Sequence, residues 1–196
     1  MSGIGCRTGI GVGRKGELYV SNNESMNHIR FEGSGAFGGS TVQGQIAKTR
    51  ITVVQGTNAA PRHLNKHIDY RKLAGQAGFD PTVRDHSLST PLDMVVSRDG
   101  KTLYVAAFGS SKIGVFDTAS LENDTFNPRT QSAKYITVSG GGPSGLVLDE
   151  ARNRLYVTTR FDNAVKVIDL AQRTELARVA MPNPEPQSII LGRPML

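Results

Sequence analysis

His63-x-x-x-His67, with Asp69 two residues on, is the densest set of metal-binding side chains in the chain. Neutral imidazoles beside a carboxylate suit a divalent transition metal. On an extended strand residues 63, 67 and 69 share one face, because side chains alternate with a period of two. A straight strand holds His63 and His67 ~13 Å apart, too far to share one ion. A bulge or turn at Asn65 is needed to bring them together. Hydrogen bonding across neighbouring sheets is the competing use of these rings, and the spacing favours it. His63, His67 and Asp69 stand as metal candidates only, and no residue is assigned to catalysis or to a cofactor.

The other reactive residues are sparser. Asp85-His86 and His28 each lie in an insertion, with no serine or cysteine nucleophile marked beside them. Gly3-Ile4-Gly5 and Gly9-Ile10-Gly11-Val12-Gly13 lack the Gly-Lys-Ser/Thr of a phosphate loop, and no helix is expected after them, so they read as loop. Cys6 is the single cysteine, which excludes an internal disulfide and a cysteine-based zinc site. It is followed by Arg7-Thr8-Gly9-Ile10 and so starts no Cys-x-x-Cys-His haem attachment. Tyr19, Tyr104 and Tyr156 fall at one repeat position. That points to core packing, with the hydroxyl satisfied at a sheet edge.

The repeat decides what positions these residues. Pro91 to Val105 and on to Asp117 lines up with Pro143 to Val157 and on to Asp169, and a third copy opens at Pro186. The steps are 52 and 43 residues, and the extra length sits in a polar loop, Leu121 to Ser132. Within the first copy, strands are expected over Leu92–Ser97, Leu103–Phe108, Ile113–Asp117 and Tyr135–Val138. A tight turn at Arg98-Asp99-Gly100-Lys101 joins the first two, because glycine tolerates the positive φ that hairpins demand. The run at Leu103 is apolar throughout, as a strand covered on both faces should be. The second copy repeats this with Leu146–Asp149, Leu155–Thr159, Ala164–Asp169 and Leu176–Ala180. Four short strands in a unit of roughly 40–50 residues are the signature of a β-propeller blade.

The expected fold is therefore all-β, an incomplete β-propeller of about three four-stranded antiparallel blades. Residues 1–70 read as a distorted partial blade with an insertion at about 24–47, and residues 71–90 as an inter-blade insertion. Residues 91–142 and 143–185 are blades, and 186–196 is the first strand of a truncated one. Closed propellers hold four to eight blades, so the sequence predicts an open arc, a fragment of a larger protein.

Composition narrows the function classes. The net charge of +6 is concentrated in residues 1–75, with ten Lys/Arg against four acids. Aromatics make up 6% and Trp is absent, so there is no stacking platform for single-stranded nucleic acid, and nucleic-acid binding is not expected. No stretch approaches the ~20 apolar residues of a membrane span.

Leu155-Tyr156-Val157-Thr158-Thr159 and Leu18-Tyr19-Val20-Ser21-Asn22 resemble the Tyr-Val-Thr-Asn strand of YVTN-type β-propellers. Trp-Asp dipeptides are missing, which disfavours a WD40 propeller. Gly44 to Val54, Ala60 to Tyr70, Leu103 to Asp117 and Gly140 to Asp169 are similar to large bacterial proteins in which such a propeller precedes a di-haem peroxidase-type cytochrome c domain. The resemblance implies an exported parent, periplasmic or extracellular. In it this segment would be a non-catalytic module, with adjacent blades and a C-terminal cytochrome domain as its partners. It also implies haem c bound downstream, and no cofactor in the segment itself. The alternatives are a propeller enzyme (a metal-dependent hydrolase or quinoprotein-like dehydrogenase) and a plain protein-binding platform.

Overall fold

The structure, a computed structural model, describes residues 9–26, 45–70, 72, 77–182 and 185–192. Among the described residues, twelve strands form three four-stranded antiparallel sheets, each in simple up-and-down order. Blade 1 holds β1 (Ile10–Val12), β2 (Leu18–Ser25), β3 (Ala47–Gln55) and β4 (Asn58–His63). Blade 2 holds β5 (Pro91–Val96), β6 (Thr102–Ala107), β7 (Lys112–Asp117) and β8 (Ile136–Thr137). Blade 3 holds β9 (Pro143–Asp149), β10 (Arg154–Thr159), β11 (Ala164–Asp169) and β12 (Thr174–Ala180). The first strands lie together: β5 packs against β1 on one side and β9 on the other. That is the inner edge of a propeller arc.

The registers show how the blades stack. Leu103 pairs with Phe116 and with Val96, while Tyr104 pairs with Val115 and with Val95. The first row joins the core shared with blade 1, which includes Tyr19, Ile51 and Val53. The second packs into the core shared with blade 3, which includes Leu146, Leu155 and Val157. Each sheet thus has a leucine side toward the preceding blade and a tyrosine side toward the next.

Polar bonds stitch neighbouring blades near the inner edge. Ser21 Oγ donates to the Leu92 carbonyl at 2.7 Å, and the Leu146 amide donates to Asp93 Oδ2 at 2.8 Å. At the turn predicted by Gly100, that residue takes φ +75° and its amide donates to the Ser97 carbonyl at 2.8 Å. Between blades 2 and 3, Gly140, Gly141 and Gly142 all take positive φ, and a Cβ on Gly140 would lie 2.2 Å from Asp162 Cγ. Gly140→Ala is expected to cost about 2 kcal/mol from the left-handed backbone and the displaced carboxylate. Chemical denaturation of the variant beside the unaltered chain checks it.

Three expectations need correction. Residues 1–70 hold a full four-stranded blade, because β4 folds back on β3 from Arg50↔His63 to Gln55↔Asn58. The insertion expected at about 24–47 begins inside this hairpin, since Ser25 still pairs with Ala47. Its glycine-rich part, Gly33 to Ser40, and His28 lie outside the described residues, as does Cys6. The loop at 121–132 is partly helical, with α1 (Thr118–Glu122) and α2 (Pro128–Gln131). Asp117 caps α1 by accepting from the Ser120 amide at 2.8 Å, and Asn127 caps α2 by accepting from the Arg129 amide at 3.0 Å. Finally, the segment from Pro186, expected as a strand, forms α3 (Gln187–Gly192). No described strand pairs with it, and a helix satisfies its own backbone groups.

Candidate functional site

The predicted candidates flank a tight turn at the outer edge of blade 1. His63 ends β4, residues 64–67 turn, and the Ile68 amide donates to the Asn65 carbonyl at 3.1 Å. Asn65 is buried and grips the backbone of Leu88 twice, donating to its carbonyl at 2.8 Å and accepting from its amide at 2.9 Å. Leu64 and Leu88 are both fully buried in the core between blades 1 and 2. The turn that a shared metal would need is therefore present. It serves to pin the 71–90 insertion to the blade.

The turn also sends the two imidazoles to different neighbours. His63 Nδ1 lies 3.0 Å from the Thr49 carbonyl and Nε2 lies 3.3 Å from the Gln45 amide nitrogen. A neutral ring with its proton on Nδ1 donates to the first and accepts from the second. Burial lowers the His63 pKa and keeps it neutral, against the opposing pull of the Thr49 bond. His67 Nε2 lies 2.9 Å from the Val83 carbonyl and donates to it, which leaves Nδ1 as a buried acceptor without a partner among the described residues. Burial lowers its pKa as well, partly offset by the Val83 bond, with Arg129 adding to the fall.

His67 and Asp69 line a cavity of about 580 Å³ with Tyr70, Phe79, Val83 and Arg129, and His63 is not on its wall. Among the described residues no three His, Cys, Asp or Glu side chains gather as metal ligands do. The trio is divided between a structural histidine and a mostly apolar pocket.

One pairing was invisible to sequence reading. His86 Nδ1 sits 2.6 Å from Ser132 Oγ, and the His86 ring meets His67 edge-on at 5.9 Å between centroids. A serine beside an imidazole is half of a nucleophile–base arrangement. The ring next to His86 is neutral His67 rather than an orienting carboxylate, and Ser132 Oγ also lies 3.1 Å from the Arg129 carbonyl. The pair fastens α2 to the insertion.

The polar loop at 121–132 adds a further set of bonds between blade 2 and blade 1. Tyr19 Oη donates to Glu122 Oε1 at 2.5 Å. Burial raises the Tyr19 pKa, and the Glu122 bond adds to it. Arg62 donates to the Leu121 carbonyl at 2.9 Å and also to the Glu122 carbonyl. Lys66 Nζ donates to both the Asp124 carbonyl and its carboxylate, and sits 3.9 Å above the Phe126 ring. The cap residues Asp117 and Asn127-Pro128 were the readable signal for these helices. Their partners on β2, on β4 and in the turn after it were not readable.

Radially stacked four-stranded sheets, open at both ends, define the class: a β-propeller arc. No protein-family model matches the chain, and no curated protein sequence matches it. Solved structures do. Hydrazine synthase of Kuenenia stuttgartiensis is similar over 83% of this chain and 45% of its own, with 16% identity and a TM-score of 0.59. The periplasmic gluconolactonase of Pseudomonas aeruginosa matches over 91% of this chain and 43% of its own, with 15% identity and a TM-score of 0.51. A nidogen/laminin complex matches over 90% and 48%, with 16% identity and a TM-score of 0.50. At these identities the likeness is one of fold. The chain spans less than half the length of each.

Proposed function

We propose that the chain is a non-catalytic β-propeller module that scaffolds or docks a c-type cytochrome domain in an exported electron-transfer protein. The observation that carries the docking role is the bare apolar face at each end of the arc. Ile10 and Val12 on blade 1 are 60% and 62% exposed, and Val147 on blade 3 is 64% exposed. Surface of this kind is normally covered by a partner, and in this fold the natural cover is another blade. The cytochrome partner and the exported location rest on the sequence resemblance to YVTN-type propellers with a di-haem peroxidase-like domain. No helix among the described residues is long and apolar enough to cross a membrane.

Covalent attachment of haem c uses two cysteines, and this chain has one, Cys6. Its residues therefore do not fit the group, and any haem would be held outside them. Reading the gene beyond the codon for Leu196 tests the proposal. A Cys-x-x-Cys-His motif is expected within about one domain length, ~100–200 residues. A reading frame without one removes the cytochrome from the account and leaves the propeller intact.

A further inference from the structure

Tyr19 and Tyr104 hold one repeat position, each where its sheet meets the next blade, yet their hydroxyls find different surroundings. Tyr19 Oη donates to Glu122 Oε1 at 2.5 Å, and Glu122 ends α1 on the connection that follows β7. Tyr104 lines a cleft of about 240 Å³ between blades 2 and 3, and its hydroxyl has no hydrogen-bond partner among the described residues. The matching connection of blade 3 follows β11. Counted from Asp117 and Asp169, it carries Arg173-Thr174 where blade 2 carries Leu121-Glu122. The carboxylate that meets the tyrosine at the first junction is thus missing from the second.

Cations stand in its place. Lys101 comes from the turn before β6, Lys134 lies ahead of β8, and Arg173 is in the turn after β11; all three line the cleft and are exposed. Neither lysine belongs to an ion pair among the described residues, and Arg173 donates to the Ala133 carbonyl at 3.5 Å. The carboxylate on the wall is Asp117, which is engaged by α1, accepting from the Ser120 amide and hydroxyl at 2.8 Å each. Three positive charges against one negative leave two unbalanced. Burial raises the Tyr104 pKa, with Glu150 and Asp99 adding to the rise and Arg173 opposing it, so the phenol keeps its proton and can donate. Glu150 and Asp99 are themselves held elsewhere, Glu150 by the Arg98 amide at 2.8 Å and Asp99 by the Ser97 hydroxyl at 2.6 Å.

We propose that the Tyr104 cleft binds a small dicarboxylate, one carboxylate accepting from the phenol as Glu122 accepts from Tyr19, the other neutralised by the surrounding cations. A volume below the roughly 300 Å³ of ordinary ligand pockets calls for a small molecule, and a dianion balances the two excess charges. Bound there, it ties blade 2 to blade 3 and stabilises the fold by mass action.

The probe is succinate, titrated into the methyl-labelled full chain at an ionic strength held constant with sodium chloride. Saturable shifts are expected at the methyl signals of Ile136 and Leu170, which line the cleft, together with a rising thermal midpoint. Arg173→Ala and Tyr104→Phe are each expected to weaken binding about tenfold, the loss of one charge-assisted bond. The first alters an exposed side chain and the second keeps the ring, so both variants retain the fold. Succinamide, uncharged and of the same length, is expected to leave the methyl signals unmoved. No saturable shift with succinate, or equal shifts with succinamide, overturns the proposal. Affinity unchanged by both substitutions places the anion elsewhere and overturns it too. Inorganic phosphate displacing succinate at lower concentration shows a general oxyanion site and overturns the dicarboxylate assignment. The propeller reading stands under each of these outcomes.

Discussion

Asp162→Asn is expected to destabilise the chain by about 3 kcal/mol, measured by urea denaturation at neutral pH. Lys166 is fully buried, and its ammonium is 2.8 Å from Asp162 and 3.7 Å from Glu175. It also donates to Ser139 Oγ at 2.8 Å, in the linker that joins blades 2 and 3. Losing the nearer carboxylate leaves a buried cation with only the more distant one. A buried charge stripped of its partner costs far more than an exposed pair ever contributes.

The same carboxylate makes the fold acid-sensitive. Burial pushes the Asp162 pKa up, but hydrogen bonds from Lys166, Thr159 and Arg178 outweigh it and hold the pKa at about 2, below the ordinary 3.8. A depressed carboxyl pKa contributes stability above the unfolded value and loses it as pH falls through the folded one. About 2 kcal/mol is therefore expected to disappear between about pH 4 and about pH 2. Asp162→Asn should lack that part of the acid transition. An unchanged pH profile in the variant would mean that the network is not formed.

Phe116→Ala is expected to cost about 3–5 kcal/mol, the range for a large buried aromatic ring. Phe116 has no exposed surface, meets Phe126 edge-on at 5.6 Å and lies 5.9 Å from the Tyr135 ring. It sits at the repeat position that Ile168 takes in blade 3 and Val54 in blade 1. The larger ring in blade 2 fills the space under α1 and the loop that follows it. Val147→Ala, on the uncovered face, should change stability of the monomer by less than about 0.5 kcal/mol. If the two variants have equal midpoints, the assignment of covered and bare faces is wrong.

The blades could be read from the sequence because their strands are short, local and repeated. Leu103-Tyr104-Val105 and Leu155-Tyr156-Val157 announce one strand position without help from distant partners. Which side of each strand faces which neighbour was not readable, because an apolar run covered on both sides shows no alternation. The role of the loop at 121–132 was not legible for a related reason. Its backbone carbonyls at Leu121 and Asp124 accept from Arg62 and Lys66 some sixty positions earlier, and no local pattern marks that distance. His63 and His67 show the converse. Their spacing was legible, but the grip of Asn65 on Leu88 decides where each ring points, and that bond spans the second insertion. At Pro186 the sequence repeats the start of a blade, yet the segment forms α3, since a strand is stable only with a strand to pair with.

The stacking order of the sheets is the claim on which the rest depends, and nuclear Overhauser contacts from ring protons to labelled methyl groups test it most directly. The Tyr104 ring should show contacts with methyls of Leu146, Leu155 or Val157, across the junction between blades 2 and 3. Contacts from Tyr104 to Leu64 or Leu88 instead, on the opposite side of its sheet, would contradict the account.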